Sequence, residues 1–86
     1  MENLLVTKLN SNAKLPVRQT TWSAGYDLYS LKDVCIEPHS QVLVETGIAI
    51  QLPQNTCGAI YSRSGLSVKY QIEKGAGLID SDYTGE

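Results

Sequence analysis

The sequence predicts an all-β fold, a sandwich or a barrel, broken by one short helix. Two patterns point there. Apolar residues recur at every second position over short stretches, and clusters of Asn, Asp, Ser, Pro and Gly separate those stretches at short intervals. A chain of 86 residues, 42% of them hydrophobic, suits one small domain spanning 1–86 and leaves no room for a second.

The first strand is expected over residues 4–9, closed by Asn10-Ser11-Asn12. Two more are expected over 26–31 and 34–36, ended by the turn-like Glu37-Pro38-His39-Ser40. Residues 41–52 read as one long strand, because Val42 and Val44, then Ile48, Ile50 and Leu52, alternate on either side of Thr46-Gly47; the glycine then marks a bulge or bend. After the Pro53-Gln54-Asn55 turn come strands over 58–62 and 77–80, the latter ended by Ser81-Asp82. Between them, Ser64-Gly65-Leu66-Ser67-Val68-Lys69-Tyr70 leads from small polar residues into a Leu66/Tyr70 i,i+4 pair, which suits one or two helical turns directly after Arg63. The strand returning from the Asp82 to Gly85 turn is expected beyond Glu86, so the last hairpin is expected to lack its second half.

Seven Lys and Arg against nine Asp and Glu give a formal net charge of -2, too little positive charge to hold a long nucleic acid without sequence preference. The apolar runs are too short to cross a bilayer, and no basic-then-apolar leader follows Met1, so the chain reads as intracellular, cytoplasmic or nuclear, with no secretion signal. Cys35 and Cys57 stand far apart with no Cys-x-x-Cys pair, and His39 is the single histidine, which argues against a structural zinc site. Both cysteines are expected as reduced, half-buried strand residues, and His39 as an exposed loop residue.

Three clusters are rich in functional residue types. In Ala24-Gly25-Tyr26-Asp27-Leu28 a strand carries an acidic residue; Asp27 is either simply exposed or held by a cation, a set of backbone N–H groups or water. Ser62-Arg63-Ser64-Gly65 joins a hydroxyl, a guanidinium and a glycine at the helix start, which reads either as a phosphate cradle or as a capping serine with a nearby salt bridge. Gly75 through Glu86 opens on Gly-x-Gly and then places Asp80 and Asp82 around a serine. Asp80, at a strand end, is the better candidate to orient and deprotonate a water, since Asp82 lies in a turn that favours Asp for local hydrogen bonding. Tyr83 is either a core ring or a face that stacks on a sugar.

In this order and spacing, Ala24-Gly25-Tyr26-Asp27-Leu28, Arg63-Ser64-Gly65-Leu66 and Gly77-Leu78-Ile79-Asp80-Ser81-Asp82-Tyr83-Thr84-Gly85 resemble the first three of five motifs of the trimeric dUTPases. The resemblance implies a jelly-roll-like β fold, a homotrimer with sites shared between subunits, and Mg2+-dependent hydrolysis of dUTP to dUMP and pyrophosphate. It implies that Asp80 is the general base, that Arg63, Ser64 and Gly65 contact the triphosphate, and that Asp27 steadies metal-bound water. Lys74, Gly77, Leu78 and Ile79 fall in the stretch that resembles the uracil slot, and Tyr83 resembles the ring that packs on deoxyribose. Ser62 and Ser23 depart from the proline and alanine usual there. The fourth and fifth motifs are expected beyond Glu86, so the 86-residue chain is expected to form an incomplete domain with open strand edges, unstable alone. The alternatives are a non-catalytic, dUTPase-like nucleotide-binding or regulatory module and a relative of the dCTP deaminases, which share the fold.

Overall fold

Glycine at the centre of the long alternating stretch sets the first structural feature. In the computed structural model, which describes residues 4–86, Gly47 takes φ +72°. A Cβ there would lie 2.9 Å from Ala13 Cβ, so only glycine lets the two backbones approach this closely. Strand order along the chain is β1 (Leu5–Lys8), β2 (Ile48–Gln51), β3 (Gly58–Ala59) and β4 (Leu78–Ile79), with helix α1 (Ser64–Tyr70) between β3 and β4. β1 pairs with β2, and β3 pairs antiparallel with β4.

The chain divides into two compact units. One comprises Val6–Ile50 with Thr84–Glu86. Its centre lies at the glycine bend, where the Leu9 N–H donates to Gly47 O at 2.7 Å and the Gly47 N–H donates to the Glu86 carboxylate at 2.8 Å. Ala13 and Ile48 are the buried apolar residues there, at 4% and 5% exposure. An isolated bridge joins Val17 to Asp27, and the Leu31 N–H donates to Glu45 O at 2.8 Å.

The other unit centres on residues 51–83. Its ladder pairs Gly58 with Ile79 and Ala59 with Leu78, and the Ile60 N–H extends it to Gly77 O at 2.8 Å. A Cβ on Gly58 would meet Ile79 Cβ at 3.2 Å and Leu52 Cδ1 at 3.3 Å, so its small size lets β3 lie tight against that apolar pair. Helix α1 covers the predicted segment. It ends where Gln71 turns left-handed at φ 57°, a conformation a helix commonly adopts to stop.

The all-β expectation with one short helix holds, but the strands are shorter than the alternation predicts. Residues 26–31, 34–36 and 41–45 form no named strand among the described residues. Period two reports an apolar face, whereas a strand also needs a neighbouring backbone to receive its N–H and C=O groups. Ile36 and Val44 accordingly remain 44% and 40% exposed. Cys35 and Cys57 are free, exposed and outside the strands, which corrects the half-buried strand placement. The turn predictions fare better. His39 and Asn55 take positive φ, and the Ser40 and Thr56 hydroxyls donate to the carbonyls of Glu37 and Pro53.

Candidate active site

Antiparallel pairing with β3 fixes the backbone of Gly77, Leu78 and Ile79, and Asp80 follows directly from that rigid edge. Its side chain is exposed, and its carbonyl accepts the Tyr83 N–H at 3.1 Å, closing the turn through Ser81 and Asp82. Tyr83 is half exposed, at 50%, so it is not a buried core residue. A Cβ on Gly77 would meet the Lys74 ammonium at 2.8 Å and Ile60 O at 3.1 Å, so Lys74 folds its charged end over the glycine.

Arg63 occupies the helix N-cap position in extended backbone, φ -80° and ψ 132°, with no side-chain capping hydrogen bond. Ser64 is the first helical residue, so the capping-serine reading is corrected. The first-turn bond instead comes from the backbone, Ser67 N–H to Arg63 O at 2.9 Å. Nothing lies within 4 Å of a Cβ on Gly65, leaving its backbone open to close approach.

A residue absent from the motif reading organises this turn. The Glu73 carboxylate accepts the Ser62 hydroxyl on one oxygen at 2.7 Å and the Ser67 hydroxyl on the other. Ser62 Oγ in turn accepts the Lys74 N–H at 3.1 Å. The Ser67 hydroxyl, then the Ser62 hydroxyl, hold the Glu73 carboxyl below the ordinary glutamate range; partial shielding from water opposes them and the Lys74 charge adds to the lowering. No sequence spacing marks it: Glu73 lies 11 positions from Ser62 and six from Ser67, outside any helix or hairpin pattern.

Asp27 belongs to the other unit. Its Oδ2 accepts the Gln19 amide at 2.8 Å and its backbone is tied to Val17, so a neutral side chain, missed from sequence, is among its partners. Among the described residues no group of three His, Cys, Asp or Glu side chains converges as metal ligands. The donor chemistry around Asp27 therefore fits an Mg2+ that reaches the protein through its water and through substrate phosphates, the usual habit of that ion, and does not fit an all-protein cage.

Comparison with known proteins gives one consistent result. The dUTPase family model matches residues 11–86. A fowlpox virus deoxyuridine 5'-triphosphate nucleotidohydrolase is 51% identical over 85 residues, covering 99% of this chain and 59% of that protein. The corresponding protein of Paramecium bursaria Chlorella virus 1 is 48% identical over 86 residues, covering 100% of this chain and 61% of its own length. Among solved structures, the dUTPase of Staphylococcus bacteriophage 80alpha, as a G164S mutant with dUpNHpp, superposes with a TM-score of 0.92 at 35% identity, over 99% of this chain and 50% of that one. A D95N mutant dUTPase from phage phi11 of S. aureus, described as coordinating a structural Mg(II) ion, gives 0.91 at 36% identity, over 98% and 55%. The chain spans about three fifths of the length of these curated relatives.

Proposed function

The chain belongs to the dUTPase family, and from that premise we propose that the protein hydrolyses dUTP to dUMP and pyrophosphate. The observation that carries this reading is the run from Gly77 to Gly85, with Asp80 directly after the paired strand β4 and the half-exposed Tyr83 tied to it by the Tyr83 N–H to Asp80 O bond. In the proposed reaction the Asp80 carboxylate takes a proton from water as its oxygen bonds to the α-phosphorus. The bond from that phosphorus to the oxygen bridging the α- and β-phosphates breaks, and pyrophosphate leaves with the bond electrons. No covalent enzyme intermediate is required, because displacement at phosphorus chiefly needs neutralised charge and an aimed water.

Arg63, Ser64 and Gly65 contact the triphosphate in this reading, the guanidinium by charge-assisted hydrogen bonds and the open Gly65 backbone by its N–H. Lys74, Gly77, Leu78 and Ile79 form the uracil slot. Tyr83 packs on deoxyribose and leaves no room for a 2'-hydroxyl. Asp27 acts through metal-bound water, and the Mg2+, when bound, supplies positive charge against the phosphate oxygens. We read residues 1–86 as part of a single domain, in a protein that works inside the cell as a homotrimer; the unbroken family match across 11–86 supports the first of these. No helix among the described residues is long and apolar enough to cross a membrane.

Incubating the intact protein with dUTP and Mg2+ and measuring pyrophosphate tests the proposal. Release of pyrophosphate from dUTP, but no ammonia from dCTP, is expected; ammonia release would move the protein to the deaminase side of the fold.

A further inference from the structure

We infer that Glu73 is a positioning residue, which sets the geometry of the Arg63-Ser64-Gly65 turn for a triphosphate by holding the serines on either side of it. This rests on the triphosphate role proposed above for that turn. Ser62 and Ser67 both donate to the one Glu73 carboxylate, and Ser62 also accepts the Lys74 N–H. The four residues between the serines, Arg63 to Leu66, are therefore closed into a loop anchored at both ends. The helix itself has no side-chain capping hydrogen bond and no acidic residue in its first turn. Glu73 itself is exposed, so a purely structural role in a core does not explain the arrangement.

The sign of the effect separates this role from simple electrostatics. Glu73 carries a negative charge close to a turn assigned to bind polyanions. If charge alone mattered, removing it would strengthen triphosphate binding. Holding the turn in place predicts the opposite. Releasing both serines lets the turn sample other conformations, and a site competent for only a fraction of the time binds more weakly in proportion.

The test uses the intact protein and two variants, Glu73→Ala and Ser67→Ala. Affinity for dUpNHpp is expected to fall by about tenfold in Glu73→Ala, the scale of a hydrogen bond to a charged group, with affinity for deoxyuridine unchanged. Ser67→Ala is expected to show a smaller loss of the same kind, and adding it to Glu73→Ala is expected to cost nothing further, since the bond is already gone. Unchanged or improved dUpNHpp binding, or an equal loss for deoxyuridine, overturns the inference. Amide hydrogen exchange of Ser67 and Lys74, whose N–H groups are bonded to Arg63 O and Ser62 Oγ, is expected without ligand to speed up in both variants, and unchanged exchange overturns the anchoring itself. A wild-type protein that fails to bind dUpNHpp overturns the triphosphate role, while the exchange result still decides whether the anchor exists.

Discussion

Replacing Gly47 with alanine tests the packing at the glycine bend. The residue sits at φ +72°, where an L side chain costs about 1–2 kcal/mol. Its new methyl would lie 2.9 Å from Ala13 Cβ and 3.1 Å from Leu31 Cδ1. Leu31 can rotate, but Ala13 has no side-chain freedom and is buried, so the backbone must move; overpacking of this kind costs about 1–3 kcal/mol. Alanine also loses less entropy on folding, which returns about 0.4–1 kcal/mol. The net expectation is a loss of about 1–5 kcal/mol. Gly25→Ala is the control, because nothing lies within 4 Å of its Cβ position and its φ is outside the left-handed region. It is expected to be neutral or slightly stabilising. Urea unfolding of the intact protein and both variants at one protein concentration reads the difference. If Gly47→Ala falls within about 0.5 kcal/mol of Gly25→Ala, the reasoning from close approach and backbone strain is wrong.

Three further outcomes are expected. Asp80→Asn keeps the shape and removes the base, so pyrophosphate release should drop by about 10²- to 10⁴-fold while dUpNHpp still binds; near-wild-type turnover would reject the role. Tyr83→Ala should narrow the preference for dUTP over UTP, measured as the ratio of kcat/KM values, and an unchanged ratio would leave Tyr83 with no part in sugar selection. The Glu73 carboxyl is held below the ordinary glutamate range, so its contribution is complete above that range and fades as the pH falls through the lowered folded-state value. Amide exchange at Ser67 and Lys74, corrected for its intrinsic pH dependence, should therefore show loss of protection only in acid, and protection that declines as pH rises would contradict the assignment.

The parts of the fold legible in the sequence were those set by local rules. Helix α1 announced itself through its polar start and the Leu66/Tyr70 spacing, and the bend through a glycine dividing an alternating run. Turns at His39 and Asn55 followed from residue types that tolerate positive φ. Strand extent was not legible, because alternation over 26–31 or 41–45 says which side is apolar but not which backbone lies alongside. The same limit hid two partners in the site. Glu73 reaches Ser62 across 11 positions and Gln19 reaches Asp27 across 8, and neither separation belongs to a helix or hairpin pattern that a reader of the chain could extrapolate.

The bond from the Gly47 N–H to Glu86 has a consequence for how the protein is made. It joins residues 39 positions apart, and Val6–Ile50 clusters with Thr84–Glu86, so most of this unit is synthesised well before the residues that close its bend. At ordinary rates of synthesis the Gly47 amide waits about 2–8 seconds for its carboxylate to be translated. Through that interval Val42, Leu43 and Val44 adjoin a bend whose closing contact does not yet exist. The nascent chain therefore cannot secure its early half step by step. Its vulnerable period is set by translation speed, so a slow codon between positions 48 and 86 would lengthen it without changing a single residue of the finished protein.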